Sequence, residues 1–505
     1  MKMRTSRFYT YTAALIISLS ACNKQLDTAP SNAVPEDIVL KNVDNLTTIS
    51  EGTWAAMMDD FYGGTFSNPG FKTIALTSDA MANDVALITT KYGFPTAYRF
   101  TQMNDKTQAR VSAIWGQLYK IINNSNIIIA NADKVDGDAT AKKVLKGQAL
   151  ALRANTYLTI ASFYQFSYLK DSLAKTAPVY TTPTTAATVG NPKASLKEIY
   201  ELIFSDLLQA KELLAGYDRP AKYKINADVV NGLLARAYLN TGRWALAAAA
   251  ADEAQRSYPL MAASEYNKGF NDVGNSEWIW GHSEIPSQSD GSYSFHFLDV
   301  SSASSYYYSF MADPLFGELF EAGDIRKTLF SWDGSAAARE GYLQYKKFKF
   351  KADQTADLVL MRSAEAVLIK AEGYARAGNL TEGINALNQL RTARGAKAFE
   401  EAGATQENLI KEILVERRKE LWGEGFGLSD IIRNQLAVVR KPYVDAEGKD
   451  INVTVVTPGG ATKEVVAKYH TALTFGDGSN FVPNSPYYIF VVPQGEEQNN
   501  PNLGK

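Results

Sequence analysis

Leu234-Ala235-Arg236-Ala237-Tyr238-Leu239-Asn240-Thr241-Gly242 and Lys370-Ala371-Glu372-Gly373-Tyr374-Ala375-Arg376-Ala377-Gly378 follow one pattern. Each sets a small residue, a tyrosine three positions later and a glycine four after that. A second helical stretch follows each glycine: Ala247, Ala251 and Ala254 up to Pro259 in one, Leu387 and Leu390 up to Gly395 in the other. The small residue lets two helices approach, the tyrosine fills the gap, and Gly or Pro closes each helix. Core-packing alanines alone would not repeat these offsets.

Helix pairs with a period of about 34 residues are the unit of tetratricopeptide scaffolds. The reading extends outward as a mainly α chain. Ile114, Tyr119, Ile122, Asn126 and Ile129 mark an amphipathic helix through roughly 106–132, and Leu150, Ala154, Tyr157, Ala161 and Tyr164 another through about 140–167. Ser195 with Glu198 predicts a capping box opening a helix to about Leu214. Asn226 or Asp228 starts the next. Two regions break the pattern. One is the run from Glu277 to Phe310, where aromatic residues sit among Ser and Gly. Ile451, Val453 and Val455 alternate with polar residues before Pro458-Gly459-Gly460, which predicts a small β-hairpin returning through Val465-Val466.

The chain has 505 residues, 46% apolar and 21% charged, with a net charge of −2. That is a globular composition with no basic excess, so no nucleic-acid partner is expected. Three histidines and one cysteine leave little for a zinc site, an iron–sulfur cluster or a disulfide framework; no metal or cofactor is expected. Asp136-Gly137-Asp138 and Gly476-Asp477-Gly478 lack the rest of a calcium loop and read as turns.

The cysteine, Cys22, explains itself by position. Lys2, Arg4 and Arg7 precede a short apolar run around Ala13–Ile17, too short to span a bilayer, which ends in Leu19-Ser20-Ala21-Cys22. The pattern is similar to a bacterial lipoprotein signal over residues 1–21, with Cys22 the lipidated first residue of the mature chain. Residues 22–37 then read as a polar tether.

Aromatic residues gather in two stretches. Nine of the 34 residues from Glu277 to Phe310 are Trp, Tyr or Phe, against 11% over the chain, and Phe61 to Tyr98 is also rich in Gly and aromatics. A pyranose offers C–H patches on its faces and hydroxyls at its rim, which suit a flat ring flanked by polar groups. Tyr62, Phe66, Tyr92, Tyr98, Tyr293, Tyr306, Tyr307 and Tyr308 are the candidate ligand contacts. Trp278 and Trp280, on a predicted strand, read as core.

The competing site is acidic. Glu416, Glu420 and Glu424 lie four apart on one helical face, where like charges repel unless compensated. A glycosidase needs two carboxylates set across its substrate. The three glutamates instead read as structural, paired with Arg391, Arg394 and Arg433. The reading is a binder, not an enzyme; a helical glycoside hydrolase and a pure interaction scaffold stay open as alternatives.

These residues together resemble the SusD/RagB family of outer-membrane nutrient-binding lipoproteins from Bacteroidetes. The resemblance runs from Cys22 and Leu26-Asp27-Thr28-Ala29-Pro30 through Trp115, Tyr119, Ile122 and Asn126, then Gly147-Gln148-Ala149 with Leu152-Arg153-Ala154. It continues through Arg362-Ser363-Ala364-Glu365 with Ala371-Glu372, then Asn388 and Arg391. Its most specific part is Glu416-Arg417-Arg418-Lys419-Glu420-Leu421-Trp422-Gly423-Glu424-Gly425, closing with Asp430 and Arg433. Gly427 stands where the family usually has Arg. The resemblance implies a domain over 38–505, with tetratricopeptide-like units (roughly 106–260 and 360–396) forming a right-handed scaffold, an irregular ligand-binding lobe (roughly 264–355), and a C-terminal helix, hairpin and tail over 405–505. It implies an oligosaccharide ligand, or a peptide in the same role. It also implies a SusC-like TonB-dependent barrel transporter as partner, at the outer membrane and facing the cell exterior.

Overall fold

The computed structural model describes residues 40–58, 61–302 and 305–505. The signal segment, the Cys22 anchor and the 22–37 tether lie outside the described residues.

Helices dominate. The longer ones are α1 (Val43–Met58), α2 (Lys72–Ala80), α3 (Ala109–Asn131), α4 (Ala139–Phe163), α5 (Leu196–Leu213), α6 (Ala227–Asn240) and α7 (Trp244–Gln255), then α8 (Ser363–Arg376), α9 (Leu380–Ala393), α10 (Gln406–Leu421) and α11 (Gly427–Arg433). Their starts follow side-chain chemistry. Ser195 and Glu198 form the capping box, with Ser195 N–H donating to Glu198 Oε2 at 2.7 Å. Asn226, not Asp228, caps α6 by accepting from Val229 N–H at 3.1 Å. Asp138 caps α4 through Ala141 N–H at 2.7 Å, which is the turn role expected of Asp136-Gly137-Asp138.

The repeated motifs form pairs as their spacing predicts. Gly242 (φ +74°) closes α6 before α7, and Gly378 (φ +85°) closes α8 before α9; both sit in the left-handed region where a Cβ is penalised. The pairs also pack on one another through α7 and α8. Gly373 makes that possible: a Cβ there would lie 2.7 Å from the Trp244 carbonyl and 3.0 Å from the Ala248 nitrogen. Beneath the pairs runs one large apolar core, with a satellite under α8, α9 and α10.

The strands are short: β1 (Val85–Leu87), β2 (Lys175–Pro178), β3 (Lys193–Ser195), β4 (Trp278–His282), β5 (Phe310–Ala312), β6 (Phe330–Trp332), β7 (Leu343–Tyr345), β8 (Leu358–Arg362), β9 (Asn452–Val456) and β10 (Thr462–Val466). β9 and β10 pair as the expected hairpin, Val453 opposite Val465. Trp278 and Trp280 lie on β4 with 1% and 2% of their surface exposed, as core. The lobe is more ordered than its sequence predicts, for β1, β5, β7 and β6 form a four-stranded sheet in that order. Strands of three residues carry too little alternation to be legible. Among the described residues, no helix is long and apolar enough to cross a membrane.

Candidate functional site

That sheet assembles the aromatic site. β1 and β5 run antiparallel with Val85 opposite Ala312 and Leu87 opposite Phe310. Ile88 N–H extends the pairing to the Ser309 carbonyl at 3.0 Å. The loops flanking β1 therefore meet the segment leading into β5, and two aromatic stretches some two hundred residues apart in sequence become neighbours.

Three of the rings face solvent: Phe66, Tyr92 and Tyr306 are 54%, 50% and 60% exposed. The others support them. Phe66 stacks on Tyr293 with centroids 5.2 Å apart, and Phe61 meets both edge-on at 5.0 and 5.2 Å. Tyr306 lies on His296 at 4.0 Å, and His296 touches Tyr293 at 4.6 Å. Tyr307 stacks on buried Phe297 at 4.8 Å and reaches Tyr92 at 5.4 Å. Hydroxyls rim these faces: Tyr293 and Tyr307 share a hydrogen bond of 3.0 Å, and Tyr92 and Thr65 one of 2.5 Å. The result is a row of apolar ring faces with oxygen atoms along its edge.

Backbone and cations hold the row in place. The His296 carbonyl accepts from Ser305 Oγ at 2.8 Å and from the Tyr307 and Tyr308 amides at 3.1 and 2.7 Å. Tyr308 sits at φ +34°, a strained value for a bulky residue. Lys91 donates to its hydroxyl at 2.8 Å, and the Arg339 guanidinium lies 4.0 Å from its ring centroid. Arg110, on α3 and 4% exposed, braces the other side. It donates to Asn68 Oδ1 at 3.1 Å and the Gly93 carbonyl at 2.9 Å, and lies 4.2 Å from the Phe94 centroid.

Of the eight predicted contacts, Phe66, Tyr92, Tyr293, Tyr306 and Tyr307 form this surface, and Tyr308 anchors its turn. Tyr62 is half-buried, with its hydroxyl turned inward and its phenol pushed up by burial. Tyr98 is corrected: it is fully buried, its hydroxyl bonded to His470 Nδ1 at 3.0 Å, so it offers no face to a ligand. Sequence reasoning missed Phe61 and His296. Their signal was present, since both lie inside the aromatic stretches.

The expectation of one acidic helical face is corrected: Glu416 and Glu420 lie on α10, but the helix ends at Leu421 and Glu424 falls in the turn beyond it, with the carboxylates of all three enclosed by cations. Glu420 takes Arg326 at 2.9 Å, Arg362 at 2.6 Å and Arg394 at 2.8 Å, all without exposed surface. Glu277 joins from the segment before β4, pairing with Arg362 at 2.6 Å and Arg394 at 3.0 Å. Burial would raise the Glu420 pKa, but Arg394, Arg362 and Arg326 outweigh it and hold the carboxyl well below its ordinary value. For Glu424 burial is likewise outweighed, by Arg362 and Lys347, giving about 2. Glu416 pairs with Arg326 at 2.6 Å and lies 3.8 Å from Arg391. Arg433 is corrected: it holds Glu372 and Asp430, both at 2.7 Å, and none of the three glutamates. Arg417 also pairs with Asp430, at 2.8 Å, and Arg418 reaches Asp84 at 2.6 Å. The Glu420 carboxylate, with no exposed surface and three guanidiniums around it, can neither touch a substrate nor exchange a proton with one. Among the described residues, no group of three His, Cys, Asp or Glu could hold a metal.

A family model described as "SusD family" matches residues 336–505, and one described as "Starch-binding associating with outer membrane" matches 26–239. No curated protein matches the chain. Among solved structures, a SusD-like carbohydrate binding protein from Bacteroides vulgatus is 40% identical, covering 92% of this chain and 98% of its own, with a TM-score of 0.86. A putative sugar binding protein from the same species (24% identity, 92% and 98% covered, TM-score 0.73) shares the fold. So does a SusD superfamily protein from Bacteroides thetaiotaomicron (20% identity, 92% and 99% covered, TM-score 0.76). A likeness this close over nearly the whole length, together with the two matched segments, shows that the chain belongs to the SusD family.

Proposed function

We propose that this chain is a cell-surface lipoprotein, anchored through Cys22, that captures an oligosaccharide and delivers it to a SusC-like TonB-dependent barrel in the outer membrane. The observation that carries the reading is the placement of Phe66, Tyr92 and Tyr306. Three large rings from separate loops stand exposed on one rigidly braced surface. Exposed rings are costly to keep in water unless they meet something. A sugar's C–H faces fit them, and its hydroxyls fit the tyrosine and threonine oxygens alongside. The carbohydrate-binding description of the 40% identical relative supports the same ligand class. The burial of Glu420 among three arginines, which leaves that carboxylate no access to substrate, supports a reading of binding without turnover.

Calorimetry against a panel of oligosaccharides and peptides, with product analysis on the same samples, tests the reading. Heat from an oligosaccharide with no product supports it; cleavage of the ligand overturns it in favour of an enzyme. For the partner, gentle detergent extraction and capture through a C-terminal tag is expected to co-purify one large barrel protein. The lid role calls for an interface above roughly 2,000 Å². Repeated capture of this chain alone, from cells expressing the barrel, would contradict it. Cys22→Ala should end both labelling by a palmitate analogue and membrane retention.

A further inference from the structure

Away from the aromatic surface, the signature residues after α10 wall a cavity of about 170 Å³ between α2, α4, α6, β8 and α11. An engineered cavity of about 150 Å³ admits benzene, so the space suits one small molecule, not a glycan chain. Phe71, Phe166 and Phe426 give it apolar walls. Its acids are already spent. Glu365 holds Arg236 at 2.6 Å, Asp430 holds Arg417 and Arg433 at 2.8 and 2.7 Å, and Glu424 holds Arg362 and Lys347 at 2.7 and 2.6 Å.

Two donors in the wall are not spent. Lys72 is 4% exposed, and its ammonium reaches only the Val359 carbonyl, at 3.3 Å. Among the described residues no carboxylate comes within ion-pair distance of it. Arg417 uses Nε and Nη2 on Asp430, while Nη1 is buried without a partner. A buried ammonium lacking a carboxylate is costly, and a bound anion would remove that cost. We propose that this cavity is a second binding site, separate from the glycan surface, for a small organic monocarboxylate with an apolar body. Lys72 and Arg417 balance its charge, and the phenylalanine rings take its body. Burial, only partly offset by Glu424 and Asp79, lowers the Lys72 pKa, and a bound carboxylate would reverse that shift.

The site does not depend on the oligosaccharide reading and is tested apart from it, with benzoate and its neutral isostere benzamide, by calorimetry and thermal shift on the folded chain. Benzoate is expected to bind and to raise the melting temperature. Benzamide should bind about tenfold or more weaker, the scale of a charge-assisted hydrogen bond. Lys72→Met should abolish benzoate binding without lowering the melting temperature, because it removes an unpaired buried charge. Thr159→Phe, which fills the cavity and leaves Lys72 in place, should also abolish it and provides the test if the first variant does not fold. Equal binding of benzoate and benzamide, no binding of benzoate, or benzoate binding that survives Thr159→Phe would overturn the proposal.

Discussion

Glu420 shows how a residue that looks catalytic in sequence is disarmed by its surroundings. Three guanidiniums converge on one carboxylate, each pair without exposed surface. Removing the charge leaves the arginines unbalanced, so Glu420→Gln should cost about 3–5 kcal/mol of stability. Chemical denaturation would measure it, while oligosaccharide affinity stays unchanged. The pH dependence also has a definite sign. Glu424 and Glu372 each have a folded value of about 2, below the ordinary 4.5. Their stabilisation is complete above about pH 4.5 and is lost as pH falls toward 2. Asp79 and Asp313 run the other way, since burial raises each to about 7 from 3.8. Their contribution is complete below about pH 3.8 and is lost as pH rises through 7. Stability should therefore peak on the acid side of neutrality, and Asp79→Asn should flatten the decline between pH 4 and 7. A melting-temperature profile that rises steadily from pH 4 to 8 would contradict this assignment.

At the scale of elements, what was legible is what has a local cause. The capping box at Ser195, the glycines at 242 and 378, and the alternation of β9 each act within a few residues and can be read directly. The β1–β5 pairing could not be, because strands of three residues have no period, and their pairing joins positions more than two hundred apart. Arg433 was misassigned for the same reason: its partner Glu372 comes from α8, and sequence spacing says nothing of which helix lies alongside. Gly373 was read as part of a motif, yet its role is tertiary. Gly373→Ala would push a methyl group against the backbone of α7 at 2.7 and 3.0 Å. Overpacking of this kind typically costs about 1–3 kcal/mol. Its denaturation midpoint should fall accordingly, while Gly378→Ala should lose stability through the left-handed φ alone.

Across the whole molecule, the helical pairs and the buried ion network supply a stiff base, and the small sheet gathers two distant loops at one surface. Composition alone located the aromatic stretches, but only the fold separates Tyr98, enclosed beside His470, from Tyr92 and Tyr306, which face outward. That division gives the most direct test of the account. Isothermal titration of the best oligosaccharide from the panel should be compared between the native chain, Tyr92→Ala, Tyr306→Ala and Tyr98→Phe, with melting temperatures recorded for each. Each surface variant is expected to lose about tenfold or more in affinity, as truncating a binding hot spot does, with its melting temperature unchanged. Tyr98→Phe should bind as the native chain does and lose only stability. Full affinity in both surface variants, with stability intact, would contradict the claim that this aromatic surface is where the ligand is held.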